Sequence, residues 1–235
     1  MVASLRRVSG ATTLAVASSA PDLDGREGAQ GLAARLLSDA SHGHVIVPFW
    51  SAHQLTVALL AAEQFCMHEV RERFEVVVDD SLGGEIMRRT GERFGLRLRQ
   101  IHTRGNPRRF EDVGAWLRNP GPFFIAVDGG GPYGSVPTGI VRLAVRLDST
   151  VRPLAVRARP ALRCPGLVAE MPLPGATLAV GVSAPLRFDR SIAVALAAQE
   201  LQQRLNAASA SAAALLSERD FDRVGGAPIV RRHSA

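Results

Sequence analysis

At 235 residues, with 46% hydrophobic residues and a formal charge of +6, the chain can bury a substantial core and is too apolar to be disordered. All 28 basic residues are arginine and none is lysine, which excludes a Schiff-base lysine and leaves every anion contact to guanidinium forks. Aromatic residues make up 5%, too few for the stacking platforms of a single-strand nucleic-acid binder. No nucleic-acid partner is expected, while a basic surface permits peripheral contact with an anionic membrane.

Cys66 and Cys164 are isolated from each other, so they form neither a zinc cluster nor a disulfide framework, and a reducing compartment is the default. Arg6-Arg7 and the run after it are only faintly signal-like, because Ser, Thr and Gly interrupt the apolar residues. No apolar stretch reaches the roughly 18 residues of a spanning helix. The expected location is cytoplasmic, with peripheral contact at the inner membrane.

Residues 7–18 carry a β-like mix of Val, Thr and Ala, which Pro21-Asp22-Leu23-Asp24-Gly25 ends as a turn. Residues 30–39 have helical spacing, with Leu32, Leu36 and Leu37 on one side. The loop Ser41-His42-Gly43-His44 holds a His-x-His pair with no evident third metal ligand, so no metal is expected. Val45-Ile46-Val47-Pro48-Phe49-Trp50 reads as a buried strand, and Ser51 can cap the next helix through its hydroxyl. That helix, expected over 52–73, is apolar almost all round through Cys66, so it faces protein core or lipid. His53 lies in its first turn. It is either a base at the mouth of a site, kept neutral by the helix N-terminus, or a surface or capping histidine.

Residues 74–78 form the next strand. Asp79 and Asp80 come directly after it, and can bind a cation, orient a base or cap the helix expected over 85–94. Residues 96–101 alternate Leu and Arg, as in a strand nearer an edge. Arg104, Arg108 and Arg109 then sit in a turn-rich loop before a helix bearing Phe110, Val113, Trp116 and Leu117. They make either an anion cradle or a solvated charge cluster.

Phe123-Phe124-Ile125-Ala126-Val127 is a second fully buried strand. It ends on Asp128 and the run Gly129-Gly130-Gly131-Pro132, where glycines allow backbone N–H groups to approach an anion. Ligands of open α/β sheets sit beyond such carboxyl ends. Gly139 leads into a helix with Ile140, Val141, Leu143 and Leu147. A strand over 151–156, a loop over 157–166, a proline-stiffened Met171-Pro172-Leu173-Pro174-Gly175, a last strand over 177–182 and a long helix over 191–216 complete the chain. The alternation implies one α/β domain over 1–216, with a largely parallel central sheet flanked by helices, and a loose tail over 217–235.

In combination these segments resemble the bacterial lysophospholipid acyltransferase-like family of the glycerolipid acyltransferase superfamily. The resemblance rests on Phe49-Trp50-Ser51, Ser81-Leu82-Gly83-Gly84-Glu85, the stretch from Arg99 to Gly105, Asp128-Gly129-Gly130-Gly131-Pro132, Gly139 before its helix and Pro172-Leu173-Pro174. These stand in the family's order and at similar separations over about residues 10–216. The resemblance implies a glycerolipid acyltransferase-like fold and transfer of an acyl group from acyl-CoA or acyl carrier protein to a lysophospholipid or related hydroxyl, with no other cofactor. The family's catalytic His aligns with Ser51, its Asp with Gly83 or Gly84, and the arginine of its glycine loop is missing.

The resemblance leaves two expectations open. In one, His53 is the base and Asp79 or Asp80 orients it. Ser51, Arg104, Arg108, Arg109, Asp128, Gly129 and Gly130 then bind the lipid or acyl-thioester substrate. In the other, the chain is a catalytically inactive lipid- or acyl-binding relative. Without the general base such a step loses a factor on the order of 10² to 10⁴.

Overall fold

The computed structural model describes residues 13–18, 28–66, 75–80, 82–93, 96–101, 113, 121–129, 132–163 and 169–225. In chain order the strands are β1 (Thr13–Ser18), β2 (Val45–Phe49), β3 (Glu75–Asp79), β4 (Arg97–Ile101), β5 (Pro122–Ala126), β6 (Thr150–Val151), β7 (Leu154–Arg163) and β8 (Glu170–Val182). The helices are α1 (Gly28–Ala40), α2 (Gln54–Cys66), α3 (Leu82–Arg93), α4 (Thr138–Arg146) and α5 (Val194–Gly225), with a 3₁₀ turn at Ser51–His53. The fold is α/β, as the alternation implies. Five strands form a parallel sheet in the order β4-β3-β5-β2-β6, with β4 on the edge.

The central strands are buried on both faces, and their side chains alternate between two cores. Val45, Val47, Phe49, Val76, Val78 and Phe124 pack on the α1 and α2 side. Ile46, Val77, Phe123 and Ile125 pack on the other, with Ile140 and Val141 of α4 and Leu201 and Leu205 of α5. Helix α2 meets protein through its first two turns, since Thr56 and every residue from Val57 to Ala61 are buried. Among the described residues, no helix is long and apolar enough to cross a membrane.

A second sheet departs from the expected single one. It has the order β1-β8-β7, with β1 parallel to β8 and β7 antiparallel to it. The expected strand over 151–156 is in fact two strands in two sheets. Thr150 and Val151 add to β2, and after Arg152-Pro153 the chain enters β7. Proline has no N–H to give a ladder, so it sits where the chain leaves one sheet for the other. The expected loop over 157–166 is likewise strand as far as Arg163.

The prolines at 172 and 174 fall inside β8. The ladder jumps there from Arg159↔Thr177 to Ala161↔Pro172, so Leu173 to Ala176 bulge out opposite Pro160. Helix α5 continues to Gly225, so residues 217–225, expected to be loose, are helical. The expected helix over 52–73 begins as the 3₁₀ turn and is described as α-helix only to Cys66; the one expected from 85 starts at Leu82.

Helix α5 binds the two sheets together. Ala197, Ala198, Leu201 and Leu205 face the parallel sheet's core, while Ala212 and Leu216 pack with Ala179 of β8. These positions recur at helical spacing. Gly181 of β8 lies directly under the helix backbone, where a Cβ would collide with the carbonyl of Ala208.

A buried ion pair holds the corner between the sheets. Arg152 is 1% exposed, and its Nε and Nη2 donate to Oδ2 of Asp39 on α1 at 3.1 and 2.7 Å. Removing one partner of such a pair strands the other charge in the interior, at about 3–5 kcal/mol. Asp39→Ala should therefore lower unfolding free energy by about 3 kcal/mol in urea titrations, and Asp39→Leu/Arg152→Met should recover most of that loss. An Asp39→Ala midpoint equal to that of the unaltered chain contradicts this role.

Candidate functional site

The carboxyl ends of β2, β5 and β3 lie side by side in the sheet, and the chemistry-bearing residues gather there. After Phe49, Trp50 stays extended and Ser51–His53 turn in a 3₁₀ step. After β5, Val127 N–H donates to the Phe49 carbonyl at 3.0 Å and extends the pairing by one bond. The buried Asp128 carboxylate comes next. Its Oδ1 accepts the Ser51 N–H at 2.7 Å and its Oδ2 the Gly134 N–H at 2.9 Å. Gly134 has φ +77, the left-handed conformation that glycine adopts without a Cβ penalty. One carboxylate thus ties the turn after β2 to the loop before α4.

Asp79 comes from the end of β3. A Cβ on Gly129 would lie 3.3 Å from its Oδ2, and one on Gly84 would collide with its carbonyl and Oδ1. Gly84 accepts Asp79 because it carries no side chain, and a side chain at Gly129 would meet the same carboxylate in a tight contact. Of the residues singled out from the sequence, the fold therefore brings Ser51, Asp79, Asp128 and Gly129 together. Asp80 stands directly after β3 and is half-buried. Arg104, Arg108, Arg109 and Gly130 lie outside the described residues.

His53 faces a different neighbourhood. In a 3₁₀ turn of three residues, two positions correspond to about 240° of rotation, so His53 does not share the direction of Ser51. Its N–H donates to the Trp50 carbonyl at 2.8 Å, and its carbonyl accepts from Thr56 Oγ1 at 2.7 Å. The Thr56 hydroxyl also meets the Val156 carbonyl on β7. The 3₁₀ turn and the start of α2 therefore pack against β7 of the second sheet.

His53 is 3% exposed, and its Nδ1 has no hydrogen-bond partner among the described residues, so no bond from that nitrogen reaches Asp79 or Asp80. Burial first, then the Arg157 guanidinium, lowers its pKa from 6.5 to about 4, with Glu170 opposing. The imidazole is neutral at pH 7. The Ser51 hydroxyl is also buried without a partner among the described residues.

The two charged residues that act on His53, Arg157 and Glu170, were not singled out from the sequence. Glu170 Oε1 accepts from Arg157 Nη2 at 3.0 Å and from Arg163 Nη2 at 3.1 Å. The signal for them is the alternation Arg157-Ala158-Arg159, a period of two that marks a strand with one polar face.

No protein-family model matches the chain, and no curated protein matches it.

Two measurements check this geometry. Asp128→Asn keeps the shape but replaces one acceptor oxygen with an amide that cannot accept. Hydrogen bonds to charged groups contribute about 1.5–3 kcal/mol, so the variant should lose about 2 kcal/mol of unfolding free energy; an unchanged denaturant midpoint contradicts the double bond to Ser51 and Gly134.

The second concerns pH. Above pH 6.5 the His53 ring is neutral in both the folded and unfolded chain. Between 6.5 and about 4 the unfolded chain takes up a proton that the folded chain refuses, so stability declines as pH falls, by about 3 kcal/mol over that window. His53→Gln should flatten this part of the stability profile, and parallel profiles for the two proteins refute the assignment.

Proposed function

We propose that the chain is an acyltransferase-like protein that holds a lysophospholipid or an acyl thioester at the carboxyl edge of its parallel sheet, without transferring the acyl group. The ordered set of segments from Phe49-Trp50-Ser51 to Pro172-Leu173-Pro174 supports the ligand class. The gathering of Ser51, Asp79, Asp128 and Gly129 at adjacent strand ends supports the position, where open α/β sheets bind ligands.

The state of His53 carries the absence of transfer. A general base works best with a pKa near the operating pH and within hydrogen-bond reach of the proton it removes. His53 has its pKa lowered to about 4, is buried, and makes no hydrogen bond from Nδ1 to any described residue. The position of the family's histidine is Ser51, whose N–H is bound by Asp128. The nearest chemical alternative is an active acyltransferase with His53 as base and Asp79 or Asp80 as its orienter.

In this reading acyl-CoA or acyl carrier protein presents the acyl chain. The place of action is the cytoplasmic side of the inner membrane, where a charge of +6 favours anionic lipid.

The test pairs binding with turnover. Lysophosphatidate and palmitoyl-CoA should each bind the full chain saturably, and mixtures should release free CoA thiol no faster than buffer over hours. Release above buffer that drops at least ~100-fold in His53→Ala would replace this reading with the enzymatic one. Absence of saturable binding by both ligands removes the ligand class itself.

A further inference from the structure

Leu162, near the end of the β7–β8 hairpin, is one of the large apolar side chains left in water, at 50% exposure. Its direction follows from the ladder. Pairing breaks between Arg159↔Thr177 and Ala161↔Pro172, then resumes with Leu162↔Met171 and Arg163↔Glu170. Glu170 also accepts from Arg157, six positions back along β7, so the hairpin end folds over its own base. On that inner side Ala161, Arg163 and Glu170 line a cleft with Leu216 of α5. Side chains alternate along a strand, so Leu162 and its cross-strand partner Met171 point to the outer side.

The residues beside this pair are apolar too. Pro160 stands two positions before Leu162 and is exposed, and Leu173 stands two positions after Met171 and is half-buried, as is Met171 itself. Leu162, Met171 and Leu173 take no part in the hydrophobic cores formed by the described residues. A lone exposed leucine is ordinary on a protein surface, whereas an apolar patch built across two strands marks a contact surface.

Size and charge select what covers it. Three partly exposed side chains fall well short of the roughly 800 Å² that each partner of a stable protein–protein contact buries. The Arg163 side chain, next to Leu162, is 81% exposed, and the chain as a whole carries +6. A few apolar side chains beside a guanidinium group match the boundary of an anionic bilayer. There the apolar atoms enter the acyl edge while the arginine stem reaches back to the head groups.

We propose that the outer face of the β7–β8 hairpin, centred on Leu162 and Met171, docks the protein on an anionic lipid bilayer. The inference names the contact surface for the membrane location given above and rests on that location. It does not depend on the ligand class assigned to the strand ends.

The experiment measures flotation of the full chain with phosphatidylcholine vesicles, with and without phosphatidylglycerol. Binding should require the anionic lipid and fall at least ~5-fold in Leu162→Ser, the scale of losing half of a leucine's transfer free energy. Because Leu162 belongs to no core, Leu162→Ser should keep the denaturant midpoint of the unaltered chain. A second variant, Leu162→Trp, reports depth. The introduced indole should shift its emission to the blue on anionic vesicles and be quenched by acyl-brominated phosphatidylcholine, beyond any quenching of Trp50 and Trp116 in the unaltered chain.

Loss of binding in Leu162→Ser together with quenching of the introduced indole supports the proposal. Binding that Leu162→Ser leaves unchanged, or an indole that is not quenched, overturns the hairpin assignment and leaves the membrane location standing. Absence of binding, or equal binding to both kinds of vesicle, overturns the hairpin assignment and the anionic membrane location together. A dimer in sedimentation equilibrium that Leu162→Ser dissociates gives this face to a second copy of the chain and overturns the proposal.

Discussion

The Asp128 carboxylate accepts one backbone N–H from the turn after β2 and another from the loop before α4. Both donors are main-chain groups at the ends of secondary structure, where the chain cannot satisfy them by its own ladder. A side-chain acceptor reaching across 77 residues of sequence supplies what local structure lacks. Because both oxygens are engaged, the two loops are fixed relative to one another as well as to the sheet. The direction of Ser51, and hence of His53 two residues on, is set by that anchorage. Gly134 completes it with a positive φ that a side chain would make costly.

The same turn sits against the place where the two sheets meet. The chain passes from β6 to β7 through Arg152 and Pro153. Arg152 N–H still bonds Ile46 of the first sheet, and the Pro153 carbonyl accepts Ser183 N–H beside the second. Burying Arg152 requires a partner, and Asp39 of α1 supplies it. The resulting corner presents β7 to the start of α2, where Thr56 takes up the Val156 carbonyl. His53 is buried as a consequence of covering this strand edge. Its surroundings are explained by packing between sheets, without reference to catalysis.

Much of the parallel sheet is legible in the sequence because its strands are short apolar runs ended by turn formers. Val45–Phe49 and Pro122–Ala126 announce themselves in this way, and so do the carboxylates Asp79 and Asp128 that end the apolar runs of β3 and β5. The second sheet is not legible for two reasons. Pro153 interrupts one apolar run, and nothing local says that its two halves belong to different ladders. Beyond Val156 the residues are Arg, Ala and Pro with a single Leu, and none of them is β-branched or aromatic. Only pairing with β8, across the chain and opposite its own prolines, makes them a strand. Of the candidate site, Asp128 and its glycine could be placed from the run that leads to them. The orientation of His53 could not, because it depends on a 3₁₀ turn in place of the expected helix start.

That orientation gives His53 an electrostatic connection to the Arg157–Glu170 ion pair of the second sheet. Burial is the main reason its pKa is low, and the Arg157 charge adds to it while Glu170 subtracts. Arg157 and Glu170 are also the ion pair that folds the hairpin end over its base. Any change that frees Glu170 from Arg163 alters the same balance. The buried ring therefore feels charges carried by the second sheet, while the Ser51 N–H on the same turn is bound by Asp128 beside the first. The two ends of one three-residue turn are thus tied to different sheets, Ser51 through Asp128 and His53 through Thr56 and the Val156 carbonyl, and the burial of the imidazole follows from that double anchorage.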